Sequence, residues 1–212
     1  MKRFVLVALL LAAPTAWAQE VPGKADPFTG GNAEAGAGKA AVCGACHGPG
    51  GNSSNPEWPK LAGQHSAYLY EQLKVLKSKD RPSPVMNAQA ASLSDQDMKD
   101  LAAYFSDQKP TLGVGSPDAV KVAQKLYRGG DAARSLPACS ACHGPQGHGN
   151  AAAGYPRIGG QHSKYTASVL RMIRGLHGVP LPNPKLVTMA DVAAKLTDAE
   201  IEALASYVNG LH

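Results

Sequence analysis

The sequence CGACHGP at residues 43–49 returns as CSACHGP at residues 139–145, and all four cysteines of the chain lie in these two copies. Two more blocks recur in the same order. The run WPKLAGQHS at 58–66 matches YPRIGGQHS at 155–163, and LSDQD at 93–97 matches LTDAE at 196–200. Self-similarity of this kind is the signature of a repeated structural unit. The chain is therefore predicted to contain a duplicated domain.

Both halves show helical rather than strand patterns. Ser94-x-x-Asp97 and Thr197-x-x-Glu200 are typical of helix starts, and apolar residues follow each at helical spacing. No segment shows the sustained alternation of a strand. We therefore expect an all-α fold with long loops, in which two further pairs of helices occupy residues 64–78 and 161–175, and residues 32–42 and 116–128.

The first eighteen residues have the layout of a secretory signal peptide, with Lys2 and Arg3, an apolar run and the small-residue pattern ending at Ala18. An uncleaved membrane anchor is the alternative, but the apolar run is shorter than the roughly 20 residues that cross a bilayer. Export to the periplasm is expected. The predicted organisation is a signal peptide at 1–18, an N-terminal domain at 19–108, a linker at 109–115 and a C-terminal domain at 116–212.

Charge does not indicate a nucleic-acid partner. Loss of Lys2 and Arg3 lowers the formal net charge from +5 to +3, and no basic run with interleaved aromatic residues occurs. No nucleic-acid partner is expected.

The Cys-x-x-Cys-His motif points to covalent attachment of haem. Cysteines three positions apart lie on one helical turn, so both thiols can form thioethers with the vinyl groups of one haem. The adjacent histidine can then donate a nitrogen lone pair to the iron. Two covalently bound haem c groups are predicted, with the attachment residues Cys43, Cys46, His47, Cys139, Cys142 and His143.

Other uses of the motif are weighed against haem attachment. A thioredoxin-like redox pair lacks a strand context here and does not require the histidine. A structural zinc site more often shows other ligand spacings. A disulfide between such close cysteines closes a small loop and stabilises little.

Alignment of the halves sorts the five methionines. Met1 leaves with the signal peptide, while Met98 and Met172 align with aliphatic residues and are expected in the core. Met86 and Met189 each lie seven residues before the repeated Leu-Ser/Thr-Asp block, in proline-rich segments interpreted as loops. A thioether there suits haem iron, so Met86 and Met189 are the predicted sixth ligands.

Several other repeated residues accompany these ligands. His65 and His162 are rival sixth ligands, although a histidine at a helix start more often forms a hydrogen bond. The carbonyls of Pro59 and Pro156 can accept the second ring N–H of the proximal histidines. The paired cations Lys60 and Arg157 are interpreted either as partners of the haem propionates or, more simply, as solvated surface residues.

Together these features resemble the class I cytochrome c fold, and the tandem arrangement resembles the cytochrome c4 family across essentially the whole mature chain. The motifs that carry the resemblance are 43–47 with Met86 and 139–143 with Met189. The resemblance implies a pseudo-twofold axis, propionates facing each other across the interface, and electron transfer toward a terminal oxidase, sometimes with loose membrane association. The segment 129–138 is longer than its first-half equivalent and departs from the repeat.

An iron with both histidine and methionine bound has no open position for a substrate, which favours an electron carrier over an enzyme. The expected partners are redox proteins, namely a quinol-oxidising complex or other donor and a terminal oxidase as acceptor. One alternative is the cytochrome subunit of a flavin dehydrogenase, such as one oxidising sulfide. A dihaem peroxidase is another, and it would need a coordination site that opens.

Overall fold

The computed structural model describes residues 26–212, so the predicted signal peptide lies outside the described residues. Within that range the chain forms α-helices, two short 3-10 turns and two isolated β-bridges, which confirms the predicted all-α class. No described helix has the length and apolar character needed to cross a membrane.

The two halves contain the same sequence of helices. The first half contains α1 (Ala33–Lys39), α2 (Ala41–His47), α3 (Ser66–Lys77), α4 (Pro84–Ala91) and α5 (Asp95–Ser106). The second contains α6 (Pro117–Gly129), α7 (Ser140–His143), α8 (Ser163–Arg174), α9 (Pro184–Ala194) and α10 (Asp198–Asn209). In the first half, α5 packs on α1 and α3, and α4 packs on α3. In the second half, α10 packs on α6 and α8, and α9 packs on α8. The duplication is thus visible in the fold.

Local sequence signals explain where the last helix of each half begins. The hydroxyl of Ser94 accepts from the N–H of Asp97, whose carboxylate accepts from the N–H of Ser94. Thr197 and Glu200 form the same capping box at α10. Each box satisfies two of the unpaired donors at a helix start. Both predicted helix starts are confirmed.

The segments that carry Met86 and Met189 are helical, so their interpretation as loops was wrong. Pro84 and Pro184 occupy the first turn of α4 and α9, where proline has no N–H to lose and a suitable φ. The Asn183 side chain also accepts from the first backbone N–H groups of α9. The prolines therefore start these helices rather than prevent them.

The segment between α5 and α6 is bonded to both halves. The Asn52 side chain donates to the carbonyl of Lys109 at 3.1 Å and accepts from the N–H of Thr111 at 2.7 Å. Further along, the N–H of Val114 donates to the Asn209 side chain at 3.1 Å. These bonds fix the connection against residues of both repeats.

Equivalent residues of the two halves make equivalent contacts across the interface. The Gln64 side-chain amide bonds the backbone of Arg157, and the Gln161 amide bonds the backbone of Lys60, with two hydrogen bonds in each case. A residue and its repeat thus make the same contact in opposite directions. This reciprocity is the geometry of a pseudo-twofold axis.

The side chain of Lys60 also belongs to the interface. Its ammonium group donates to the carbonyls of Thr111 and Gly160, both at 3.0 Å. Burial lowers the pKa of Lys60 and of Arg157. The simpler interpretation of these two cations as solvated surface residues was therefore wrong.

Candidate functional site

The first Cys-x-x-Cys-His motif forms α2 and ends at a glycine. His47 is only 6% exposed, and its Nδ1 lies 2.8 Å from the carbonyl oxygen of Pro59. Gly48 ends the helix with φ 75°, and a Cβ there would lie 2.3 Å from the carbonyl oxygen of Asn52. Only glycine fits this sharp turn, which brings the proline segment back beneath the histidine.

The second motif reproduces this geometry. His143 is 7% exposed, and its Nδ1 lies 3.0 Å from the carbonyl oxygen of Pro156. A carbonyl only accepts, so Nδ1 of each histidine carries the proton and Nε2 keeps a free lone pair. The two proline carbonyls predicted to orient the histidines are confirmed in this role.

The electrostatics of both histidines favour the neutral, metal-binding form. Burial lowers the pKa of His47 and of His143, and the carbonyl hydrogen bonds oppose this only in part. A neutral imidazole with Nδ1 protonated presents Nε2 as a ligand. Each half therefore offers one oriented nitrogen donor.

The four cysteines are free thiols, and none of them forms a disulfide. Burial raises the pKa of Cys43 and raises that of Cys139 to about 11, so these thiols stay protonated at neutral pH. A reactive dithiol needs the thiolate form, which burial disfavours at these two positions. Across residues 26–212, no cluster of three His, Cys, Asp or Glu side chains could hold a metal ion.

Met86 lies half-buried on α4, and the residue beside it secures that helix. The Asn87 amide donates to the carbonyls of Leu76 and Arg81 at 2.6 and 3.0 Å and accepts from the N–H of Ser83 at 2.9 Å. Sequence reasoning missed Asn87, which has no counterpart in the second half. These bonds hold α4 against the end of α3.

The other methionines have mixed outcomes. Met189 is half-buried on α9, which packs on α8. Met98 is 4% exposed, so its prediction as a core residue is confirmed. Met172 is 37% exposed on α8, so the same prediction for it was wrong. The buried side of that helix is formed instead by Ala167, with Leu170 packed beside it.

The rival ligands His65 and His162 occupy the N-cap positions of α3 and α8, as expected for helix-start residues. His162 Nε2 lies 2.8 Å from the carbonyl oxygen of Ser53, across the interface, and is therefore engaged. His65 Nε2 is buried and has no hydrogen-bond partner. Burial lowers the pKa of His65, and the main chain of His148 offsets this lowering in part. Both histidines belong to the contact between the halves.

The donor set fits two haem groups. Each half places two thiols and a histidine on one short helical segment, orients the ring through a backbone carbonyl, and carries a half-buried methionine on a later helix. A soft thioether and a neutral imidazole are suitable axial ligands for haem iron. A small helical fold with this attachment motif in each half defines the class of tandem c-type cytochromes.

Comparison with known proteins agrees with this class. The family model for cytochrome c matches twice, at residues 33–109 and 123–212. Cytochrome c4 of Azotobacter vinelandii is 46% identical over 191 residues, covering 86% of this chain and 90% of that protein. The crystal structure of reduced recombinant cytochrome c4 from Pseudomonas stutzeri superposes with a TM-score of 0.81 at 47% identity, covering 86% of this chain and 100% of the other.

A more distant relative is an electron acceptor of a dehydrogenase. The thiosulfate dehydrogenase electron acceptor of Thiomonas intermedia is 33% identical over 209 residues, covering 96% of this chain and 86% of that protein.

The chain belongs to the cytochrome c family and, within it, to the cytochrome c4 family. It binds two covalently attached haem c groups and acts as an electron carrier for redox protein partners, not as an enzyme.

Proposed function

We propose that this chain is a periplasmic dihaem cytochrome of a respiratory chain, which accepts electrons from a quinol-oxidising complex or similar donor and passes them toward a terminal oxidase. The observation that carries the proposal is the fixed Nδ1 hydrogen bond of both proximal histidines, which leaves each Nε2 free as a ligand. The proposed mature chain has domains at 19–108 and 116–212, joined by a linker at 109–115. Loose membrane association is part of the proposal.

The proposed residues divide the work as follows. Cys43 and Cys46 hold one haem, and Cys139 and Cys142 hold the other, through thioethers. The haem irons supply reversible one-electron chemistry. His47 with Met86 would hold one haem iron, and His143 with Met189 would hold the other. With a histidine and a methionine bound, an iron would have no open position for a substrate, so it would supply electron transfer only.

The ligands are tested in the purified holoprotein. A pyridine haemochrome assay is expected to give two c-type haems per chain. The weak band from methionine sulfur to ferric iron should fall by about half in Met86→Ala and in Met189→Ala. Met172→Ala, which removes an exposed methionine, is the matched control and should leave the band unchanged. A full band in both ligand variants would overturn the assignment, as would rapid carbon monoxide binding by the reduced wild-type protein.

Export is tested separately from haem ligation. Expressed with the haem maturation machinery, the full chain should appear in the periplasmic fraction, and its N-terminal sequence should begin at Gln19. A cytoplasmic protein that keeps residues 1–18 would contradict this part of the proposal.

The direction of electron flow is tested with respiring membranes. Reduced protein added to membranes should be reoxidised in the presence of oxygen, and a quinol should reduce it through its oxidising complex. Failure of both reactions would remove the respiratory assignment while leaving the protein an electron carrier.

A second candidate role is to accept electrons from a sulfur-compound dehydrogenase. The similarity to the thiosulfate dehydrogenase electron acceptor of Thiomonas intermedia favours it. Rapid-mixing kinetics should then show saturable reduction by a thiosulfate dehydrogenase plus thiosulfate. A rate no faster than that seen with an unrelated small c-type cytochrome would exclude this role.

A further inference from the structure

We propose that Gln64 and Gln161 are positioning residues that act across the interface, each tuning the proximal histidine of the opposite half. The inference rests on the proposed function, because it takes His47 and His143 as the nitrogen ligands. It concerns a pair of uncharged side chains that contact neither histidine directly. Their effect passes through one peptide group in each direction.

The first path runs from the N-terminal half into the C-terminal half. Nδ1 of His47 donates to the carbonyl of Pro59 at 2.8 Å. The N–H of the same peptide group belongs to Lys60 and donates to Oε1 of Gln161 at 2.9 Å. The Gln161 amide returns a hydrogen bond to the carbonyl of Lys60 at 3.0 Å. One peptide plane therefore joins the histidine of one half to the glutamine of the other.

The second path repeats the first with the two halves exchanged. Nδ1 of His143 lies 3.0 Å from the carbonyl oxygen of Pro156. The N–H of that peptide group belongs to Arg157 and donates to Oε1 of Gln64 at 2.9 Å, while the Gln64 amide donates to the carbonyl of Arg157 at 2.7 Å. Two crossed paths of the same composition result from the pseudo-twofold axis.

Both glutamines are held in the orientation that the paths need. Oε1 of Gln64 also accepts from the N–H of His65, and Oε1 of Gln161 from the N–H of His162, each at 3.0 Å. Two N–H donors converge on each Oε1, so the oxygen and nitrogen of each amide cannot be exchanged without losing these bonds. Gln64 is 8% exposed, and water has little access to replace it.

Hydrogen-bond cooperativity predicts the sign of the effect. A peptide group whose N–H is engaged is more polarised, and its carbonyl accepts more strongly. A stronger acceptor at Nδ1 makes the imidazole a better electron donor at Nε2, which favours ferric iron and lowers the reduction potential. Loss of a glutamine should therefore raise the potential of the haem in the other half.

If the glutamines have only a structural role at the interface, a different result is expected. If the glutamines only hold the halves together, removing either one loosens the same interface and affects both haems alike. A tuning role gives a crossed pattern, in which the variant in one half acts mainly on the histidine of the other. The crossed pattern is therefore the decisive observation.

The test uses the holoprotein with Gln64→Met and Gln161→Met, which keep side-chain length and remove the amide. The readout is the Nδ1–H proton resonance of each haem-ligating histidine in the reduced, diamagnetic protein, followed by nuclear magnetic resonance. Gln161→Met should shift the His47 signal upfield and speed its exchange with solvent, while the His143 signal changes little. Gln64→Met should do the reverse, and Gln146→Met, at an exposed site, should do neither.

Potentiometric titration of the same variants provides the second readout. The potential that rises should belong to the haem of the opposite half in each variant. Equal changes at both haems, a change confined to the variant's own half, or no change in either readout would overturn the proposal. A wild-type protein without two such histidine resonances would contradict the proposed ligands instead, so the two failures are distinguishable.

Discussion

The two halves fill the space beside their attachment helix in different ways. Tyr127 in the second half is fully buried, and its ring centroid lies 5.3 Å from that of Tyr207 in a tilted arrangement. Its hydroxyl donates to the carbonyl of Gly144 at 2.6 Å. In the first half, Gly48 and Tyr104 are the counterparts of Gly144 and Tyr207, and together with Ala40 they line an open cavity of about 370 Å³. One repeat thus has an aromatic core where the other has a hollow.

The crossing of the terminal helices differs correspondingly. Gly36, four residues before Ala40, lies so close to α5 that a Cβ would be 2.1 Å from the carbonyl oxygen of Asp100. In the second half, where α6 packs on α10 as α1 packs on α5, Ala123 of α6 is a fully buried residue with a Cβ. The first half therefore gains stability from a close backbone approach, and the second from side-chain volume. A duplicated fold tolerates this divergence because each core is closed separately.

The largest expected effect comes from removing the aromatic anchor. Tyr127→Ala should destabilise the second half by about 3–5 kcal/mol, because a large buried ring is lost and a cavity remains. Amide hydrogen exchange measured by mass spectrometry should show faster exchange in α10, while α5 provides the internal control. Equal loss of protection in both helices would mean that the halves do not unfold separately.

The close crossing in the first half should be nearly as sensitive. Gly36→Ala forces a methyl group into the backbone of α5 and should cost about 1–3 kcal/mol. Ala123→Gly is the matched variant in the second half and should cost about 1 kcal/mol of helix propensity plus about 0.8 kcal/mol for the lost buried methyl group. Denaturant titration of both variants compares them. A tolerated Gly36→Ala would show that α1 can move away from α5.

A smaller effect isolates the hydroxyl of Tyr127. Tyr127→Phe keeps the ring against Tyr207 but leaves the carbonyl of Gly144 without this donor, at a cost of about 1–2 kcal/mol. Because Gly144 follows His143 directly, the variant also tests whether the hydrogen bond steadies the attachment motif. Exchange of the α7 amides should speed up relative to those of α2. Unchanged exchange would limit the hydroxyl to a minor role.

Much of this architecture could be predicted from the sequence, for reasons that are local. The repeated motif, the capping boxes and the proline carbonyls are all encoded within a few residues of one another. The helices around Met86 and Met189 were missed because a proline-rich run predicts a loop unless its prolines fall in a first helical turn. Periodicity places Met172 on a helix but does not show which side of that helix is covered.

The interface could not be predicted in the same way. In the repeated Gly-Gln-His-Ser block, only the histidine has a side chain that predicts a role as an iron ligand. Gln64 and Gln161 bond peptide groups more than ninety residues away, and backbone partners leave no mark on sequence composition. The block's duplication was nevertheless a usable signal, because a repeated polar residue with no local partner is a candidate for a symmetric contact.

The smallest expected effect concerns a cation that forms ion pairs with the last helix in each half. In the second half, Arg134 of the longer segment 129–138 contacts Glu200 at 2.7 Å and Asp131 at 2.9 Å. In the first, Lys39 plays this part with Asp97 and Asp100, at 2.7 and 2.8 Å. The same capping-box carboxylate is neutralised from two different places in the sequence.

The acid dependence of stability should distinguish these two sets of ion pairs. Hydrogen bonds from Arg134 lower the pKa of Glu200 to about 2 from an ordinary value of 4.5. A carboxylate with a lowered folded-state pKa contributes stability that is complete above about pH 4.5 and is lost as the pH falls toward 2. Arg134→Gln should therefore reduce the free energy of unfolding at pH 7, and the gap from wild type should close between pH 4.5 and 2.

Lys39→Gln is the matched change in the first half. Hydrogen bonds from Lys39 lower the pKa of Asp97 from an ordinary value of 3.8, whereas that of Glu200 is lowered from 4.5. The gap produced by Lys39→Gln should therefore begin to close at a lower pH than the one produced by Arg134→Gln. Unfolding followed by hydrogen exchange in α5 and α10 from pH 2 to 7 assigns each gap to its own half. A constant difference across this range would show that the cations act through their contacts alone and not through the titration of the carboxylates.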